Sequence, residues 1–336
     1  MPCPWIFLPP AARGTLFEKT APLDPPQKLF IMEIDKKYLH ARLKNVTQIK
    51  KIRGEASNRT FYRVVFNDYS LVAMVYPSVN RGEIEKIVKL TDTYLQHRIN
   101  VPKIEEIIDE RVILQEDLGD LLAQKVFSMF KKQERKKVLE TVADILIRLQ
   151  GVVSTHATAV LDTARMKWEM DFFLTHFARN YLTKDSRVIK DLEARLYRMV
   201  ERIQPINTFA HRDFHSRNML VYKNDIYLVD FQDSLKASPW YDLVSFAFDC
   251  YLDLKSQRKF LLNCLKERGM IVDEEQFYIT ALQRNIKALG TFGYQVTIKK
   301  NLSYKKYIPR TLRHITSNPL FNRFFHPFPF TISARK

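Results

Sequence analysis

Apolar residues change their spacing along the chain, and the change divides it. Between Thr47 and Tyr76 they fall in short β-branched and aromatic runs, Phe61–Phe66 and Leu71–Tyr76, separated by the polar turn Asn67-Asp68-Tyr69-Ser70. This pattern predicts strands, with a hairpin between the last two. From Glu83 to His97 the period becomes helical, with Ile84, Ile87, Val88, Thr91 and Leu95 on one face. Pro102 closes that stretch, and Ile104–Ile108 and Arg111–Gln115 predict two further strands around Asp109-Glu110. Beyond Asp120 the pattern is helical over Glu134–Gln150, Met166–Tyr181, Asp242–Leu254 and Asp273–Leu289. The Trp and Phe residues of Met166–Tyr181 read as core. A small sheet-rich lobe followed by a larger helical lobe is an α+β architecture.

Composition narrows the class. At 46% hydrophobic residues over 336 positions, the chain has enough apolar surface to fold. No apolar run reaches the ~18 residues that span a bilayer. Three cysteines, Cys3, Cys250 and Cys264, exclude a disulfide framework and a four-cysteine zinc site, and fit a reducing compartment such as the cytoplasm. With eight glycines and neither G-x-x-x-x-G-K-[ST] nor G-x-G-x-x-G, a P-loop or Rossmann site is excluded. Seven of the fifteen prolines lie in the first 26 residues, so residues 1–31 read as a flexible extension. No basic stretch precedes the short apolar patch Trp5–Leu8, so this segment does not read as a secretory signal.

The net charge is +17, and it is uneven: after Glu275 there is no Asp or Glu but eleven Lys or Arg. Such a face attracts phosphates of nucleotides, nucleic acid or lipid, and equally serves as a solvated surface with no specific partner.

Chemistry concentrates between His211 and Asp233. His211-Arg212-Asp213-Phe214-His215-Ser216-Arg217-Asn218 leads into Met219–Tyr222, a polar turn Lys223-Asn224-Asp225 and Ile226–Val229, which delivers Asp230-Phe231-Gln232-Asp233. This spacing predicts a loop ending in a hairpin that gathers the oxygens of Asp213, Asn218 and Asp230. Asp and Asn oxygens are hard ligands suited to Mg²⁺ beside substrate phosphates. A carboxylate five residues before the Asn can accept a hydroxyl proton. The spacing matches the kinase catalytic loop H-R-D-x-x-x-x-N followed by D-F-x.

With these motifs the chain resembles the aminoglycoside phosphotransferase and choline kinase superfamily, small-molecule kinases on a protein-kinase-like fold. The stretch from Asp230 to Trp240-Tyr241-Asp242-Leu243 is too short for a protein-kinase activation segment, and no A-P-E follows. Gly54–Arg63, Glu116-Asp117-Leu118-Gly119-Asp120, Asp230–Asp233 and Ala281–Gly290 are similar to the bacterial anomeric kinases of N-acetylmuramate and N-acetylglucosamine. The resemblance implies an N-lobe over 32–115, a hinge at 116–120 and a helical C-lobe over 121–336. It implies ATP as donor, Asp213 as the catalytic group, and Asn218 and Asp230 as Mg²⁺ ligands. Ser57, Asn58 and Arg59 would cover the phosphates, and the backbones of Glu116 and Leu118 would hold adenine. Trp168, Glu169, Gln232, Asp233 and Arg284 are the acceptor-site candidates, and Arg284 or Lys287 near the acceptor would favour an acidic sugar. His211 is expected to pack the loop, and Asp242 to cap a helix or anchor the loop.

One position departs from kinases generally: the third-strand lysine is replaced by Met74. The charge is then expected from Arg59 or Arg63. The leading expectation is an amino-sugar kinase. The alternatives are a kinase for an aminoglycoside, choline, homoserine or a ketosamine, a pseudokinase, or a basic anion-binding protein with no turnover.

Overall fold

The computed structural model describes residues 35–52, 59–153, 159–204 and 208–326. They form two compact units, one reaching to Ile84 and resuming over Ile104–Asp117, the other comprising Glu85–Lys103 and continuing from Leu118.

The first unit opens with helix α1 (35–42) and holds strands β1 (Gln48–Ile52), β2 (Thr60–Val65), β3 (Ser70–Val75), β4 (Ile104–Ile108) and β5 (Val112–Glu116). They pair antiparallel in the order β1-β2-β3-β5-β4. The expected turn at Asp109-Glu110 is present, and both residues take φ of 49°, the left-handed pair that a two-residue hairpin requires. Leu39 of α1 joins Ile49, Tyr62, Val64, Ala73, Val75 and Leu114 in one core. At its edge the buried Asp35 carboxylate accepts from Tyr62 Oη (3.1 Å) and Arg111 Nη2 (3.0 Å). Burial pushes the Asp35 carboxyl up, and the Tyr62 and Arg111 contacts oppose that.

Helix α2 (Arg81–Gln96) buries Ile84, Ile87, Leu90, Thr91 and Tyr94, so most of its expected face is the buried one. Then come α3 (Ala123–Met129), α4 (Lys132–Gln150) and α5 (Thr163–Phe173), which runs on as a π-helical stretch, Leu174–Leu182. The core expectation for its aromatics holds at Phe173 and Phe177, both at 0% exposure. Next are α6 (Ser186–Val200), short strands β6 (Thr208–Ala210), β7 (Met219–Tyr222), β8 (Asp225–Leu228) and β9 (Leu235–Ala237), and α7 (Tyr241–Ala247). Helices α8 (Arg258–Glu267), α9 (Glu274–Thr297), α10 (Ile308–Thr316) and α11 (Phe321–Phe325) complete the described chain.

Helix α7 is shorter than the expected Asp242–Leu254. Asp249 Oδ1 accepts from the N–H groups of Tyr251 (2.6 Å) and Leu252 (3.3 Å), which turns the chain out of the helix. Helix α9 outruns its expected end at Leu289 by eight residues, reaching Thr297. Asp273 caps its start by accepting from Gln276 N–H at 3.0 Å.

Two glycines on one face of α9 allow backbone contact. A Cβ on Gly290 would stand 2.9 Å from Phe173 Cα, and one on Gly293 would stand 2.7 Å from the His176 carbonyl carbon. The rod thus lies directly on the junction of α5 and its π-helical continuation.

Gly293→Ala should lower stability by about 3 kcal/mol in urea unfolding, because backbone must give way. Gly82→Ala lies in the first turn of α2, where an added Cβ would meet nothing within 4 Å. It should be neutral or raise stability by about 0.5 kcal/mol. Equal effects of the two substitutions would contradict this packing.

Candidate active site

The loop before β7 is braced from behind by two buried aspartates. Asp242, at the start of α7, accepts from the N–H groups of His211 (2.6 Å) and Arg212 (3.0 Å). Asp249 accepts from Ser216 N–H at 2.8 Å. Burial pushes the Asp242 carboxyl up to about 7 against the pull of its two N–H donors. Arg212 sits at φ 78°, a left-handed conformation that costs energy in a non-glycine residue and needs such bracing. Asp242 is thus the loop anchor that its position suggested. His211 is fully buried, meets the rings of Tyr94 and Phe214, and faces the Val229 carbonyl through Nε2 at 3.2 Å. Burial lowers its pKa, which suits a packed neutral ring.

The hairpin then places Asn218 and Asp230 at one mouth. Strands β7 and β8 pair from Tyr222↔Asp225 to Met219↔Leu228 across the turn Lys223-Asn224, whose φ values are 49° and 64°. One step further, Val229 N–H donates to the Asn218 carbonyl at 3.0 Å. Asn218 and Asp230 therefore flank the open end of one hairpin. Asn218 Nδ2 donates to the Asp213 carbonyl (3.0 Å), which tethers it to the loop. Asp230 takes φ 65°, and its Oδ1 accepts from Gln232 Nε2 at 2.8 Å. An amide and a carboxylate oxygen at one hairpin mouth fit Mg²⁺ as a donor set of hard oxygens, with phosphates and water completing it. Among the described residues no group of three or more His, Cys, Asp or Glu could hold a metal by itself.

Asp213, its side chain about 30% exposed, lies against a set of largely buried charges. Its Oδ1 is 3.2 Å from Lys287 Nζ and 3.3 Å from Arg284 Nη2, both from α9. Arg284 Nε also donates to Ser245 Oγ at 2.9 Å. Behind Asp213, Arg212 Nη2 stands 3.6 Å from Glu169 Oε1, and Gln283 Nε2 donates to Glu169 Oε2 at 2.7 Å. Burial alone would push the Asp213 carboxyl up, but Lys287, Arg284 and Arg212 outweigh it and hold the group well below the usual carboxylate range. Burial pulls the Lys287 ammonium down while Asp213 opposes that.

The remaining candidates are distributed as follows. Glu169 and Arg284 join Asp213 in this set, and Gln232 sits on Asp230. Trp168 stacks on Phe172 at 5.7 Å, and Asp233 is exposed. On the sheet, Arg63 is engaged with Asp117 in a two-point pair (Nε–Oδ2 2.6 Å, Nη2–Oδ1 3.0 Å) that Ser70 Oγ joins. Arg59 lies with Nη1 3.6 Å from Met74 Sδ, beside the residue that replaces lysine. Glu116 ends β5, and Leu118 is buried. Ser57 and Asn58 lie outside the described residues. Lys287, whose proximity to the acceptor was only an alternative to Arg284, contacts Asp213 directly. Its signal was present: Gln283, Arg284 and Lys287 are polar residues at i, i+1 and i+4 among the apolar neighbours Ala281, Leu282, Ile286, Ala288 and Leu289 of α9.

Residues 48–263 match the phosphotransferase enzyme family. The chain is 22% identical over 282 residues to the N-acetylmuramate/N-acetylglucosamine kinase of Neisseria meningitidis serogroup B, covering 78% of this chain and 83% of that one. It is 24% identical over 280 residues to the kinase of the same name from Pseudomonas aeruginosa, covering 78% and 81%. Among solved structures, the choline kinase LicA from Streptococcus pneumoniae superposes with a TM-score of 0.62 at 13% identity, covering 86% of this chain and 99% of that one. The ADP-bound aminoglycoside phosphotransferase APH(2'')-Ib superposes with 0.60 at 13% identity, covering 86% and 97%. The fold is the two-lobed protein-kinase-like one.

Lys287→Met should raise the Asp213 pKa, because it removes a cation beside the carboxylate. The acid limb of kcat/KM against pH then moves up by about one unit, and Lys287→Arg should restore it. An acid limb unmoved in Lys287→Met would show that the ammonium does not hold the carboxylate ionised.

Proposed function

Because the chain belongs to the phosphotransferase enzyme family, and as such transfers phosphoryl groups to a hydroxyl acceptor, we propose that it is an ATP- and Mg²⁺-dependent kinase of an amino sugar acting at the anomeric hydroxyl. The observation that carries this reading is the Asp213 carboxylate, held ionised by Lys287 and Arg284 of α9, in the loop that leads into the hairpin of Asn218 and Asp230. The choice of acceptor is supported by the two curated relatives, each named for N-acetylmuramate and N-acetylglucosamine and each spanning 78% of the chain. The three cysteines suit action in the cytoplasm.

A carboxylate of low pKa is a weak base. It orients the acceptor hydroxyl by accepting its hydrogen bond, and takes the proton only as the new O–P bond forms and the bond from the γ-phosphorus to ADP breaks. This suits a loose transition state, in which little negative charge is needed on the nucleophile early. Asn218 and Asp230 are the residues that would hold Mg²⁺. Bound there, the ion neutralises charge on the donor phosphates. Arg284 and Lys287 keep Asp213 ionised and in place. With Arg63 engaged by Asp117, Arg59 is the sheet cation that would take the role of the absent third-strand lysine.

The test is ADP release against N-acetylmuramate, N-acetylglucosamine, kanamycin, choline, homoserine and a ketosamine. An amino sugar should stimulate release, and Asp213→Asn should lower it by about a thousandfold. No stimulation by any acceptor above the Asp213→Asn background would refute the kinase reading in favour of a pseudokinase. On the donor side, Arg59→Ala should raise KM for ATP. Arg63→Ala should instead cost about 3 kcal/mol of stability, because it strands the buried Asp117 carboxylate.

A further inference from the structure

The catalytic set uses only Arg284 and Lys287 of the eleven C-terminal cations. Arg323 pairs with Glu275 at 2.9 Å. Three others, Lys306 in the 3-10 turn that leads into α10, and Arg310 and Arg313 of α10, all line a cavity of about 310 Å³ together with Gln124, Tyr251 and Tyr307. No Asp or Glu lines it. None of the three cations pairs with a carboxylate among the described residues.

The cavity is built rather than incidental. Arg310 Nη1 donates to the Cys250 carbonyl at 3.2 Å, which fixes the guanidinium, while its Nε is buried with no hydrogen-bond partner. Tyr251 and Tyr307 meet edge to face at 4.7 Å and give the cavity a rigid aromatic side. The volume suits a small molecule and is too small for a duplex groove or a protein segment.

We propose that this cavity is an anion site separate from the Asp213 centre, and that it binds the phosphoryl group of a small phosphorylated molecule. Planar guanidinium forks with a lysine charge are the donor set that phosphate takes, and the tyrosines offer a face to a sugar or other small body attached to it. The site adjoins the catalytic loop. Tyr251 contacts His215 at 4.9 Å, and the Arg217 guanidinium lies 4.7 Å from the Tyr251 ring centroid. Gln124 joins both sides, with its N–H on the Ser216 carbonyl (3.1 Å) and its Nε2 on the Tyr251 carbonyl (3.0 Å).

The test is calorimetric titration of the full chain carrying Asp213→Asn, at fixed ionic strength and without divalent metal. The ligands are inorganic pyrophosphate and α-D-glucose 1-phosphate. Both should bind, and Lys306→Ala with Arg313→Ala should weaken each at least about tenfold, while Lys287→Met should leave both unchanged. Lys306 and Arg313 are exposed, so these variants keep the fold, and circular dichroism checks it. Tighter binding of glucose 1-phosphate identifies a phosphosugar as the class of occupant, and tighter binding of pyrophosphate a free phosphate. Absence of binding at millimolar ligand overturns the proposal. So does affinity indifferent to the Lys306 and Arg313 substitutions, or displacement of both ligands by a lower concentration of a single-stranded oligonucleotide. The readout is binding by a chain disabled at Asp213, so its failure is distinguishable from failure of the kinase reading.

Discussion

The ionisation of the Asp213 carboxylate depends on an unequal contest between burial and charge. Removing Asp213 from water favours its neutral form, and the cations of Lys287, Arg284 and Arg212 reverse that preference. The loop geometry serves this contest. Asp242 and Asp249 spend their own buried charge on backbone N–H groups of the loop, so the Asp213 side chain is left to face the cations of α9. Glu169 balances Arg212 from the other side, which prevents the cluster from becoming an uncompensated concentration of positive charge.

The sheet solves a parallel problem differently. Kinases generally carry a lysine on the third strand. Here Met74 occupies that position, and the adjacent cations divide into two kinds. Arg63 is committed to Asp117 in a two-point geometry, which ties β2 to the chain leaving β5. Arg59 rests on a polarisable sulfur, a soft contact that leaves the guanidinium charge uncancelled by Met74.

What could be read in the sequence was local. The loop and its hairpin span twenty-odd residues, so their local spacing was readable: Asn218 Nδ2 reaches the Asp213 carbonyl, and Val229, one residue before Asp230, pairs with Asn218. The five sheet strands were legible because each is a short contiguous apolar run, whereas the pairing of β3 with β5, which sets Leu71 opposite Glu116 across α2 and β4, was not. The contact of Lys287 with Asp213 was not, since it joins residues 74 positions apart through the placement of α9. Nor was the early end of α7, where one side chain, Asp249, outcompetes an apolar pattern that continues in helical period to Leu254. Helices α1, α3, α6, α8, α10 and α11 were not assigned from the sequence. The spacing of Ile189, Leu192, Leu196 and Met199 in α6 carried a usable signal.

Backbone contact at Gly290 and Gly293 has a consequence for how such an enzyme diversifies. A helix seated on a neighbour through main-chain atoms cannot slide or roll to absorb a new side chain. Gln283, Arg284 and Lys287 ride one to three turns away on that same rod. Exchanging Arg284 or Lys287 alters polarity and size at the Asp213 carboxylate, and exchanging Gln283 does so at Glu169, while the scaffold stays in register. α9 therefore works as a fixed rail with replaceable fittings, so the charge facing Asp213 can change by point substitution without rebuilding the fold.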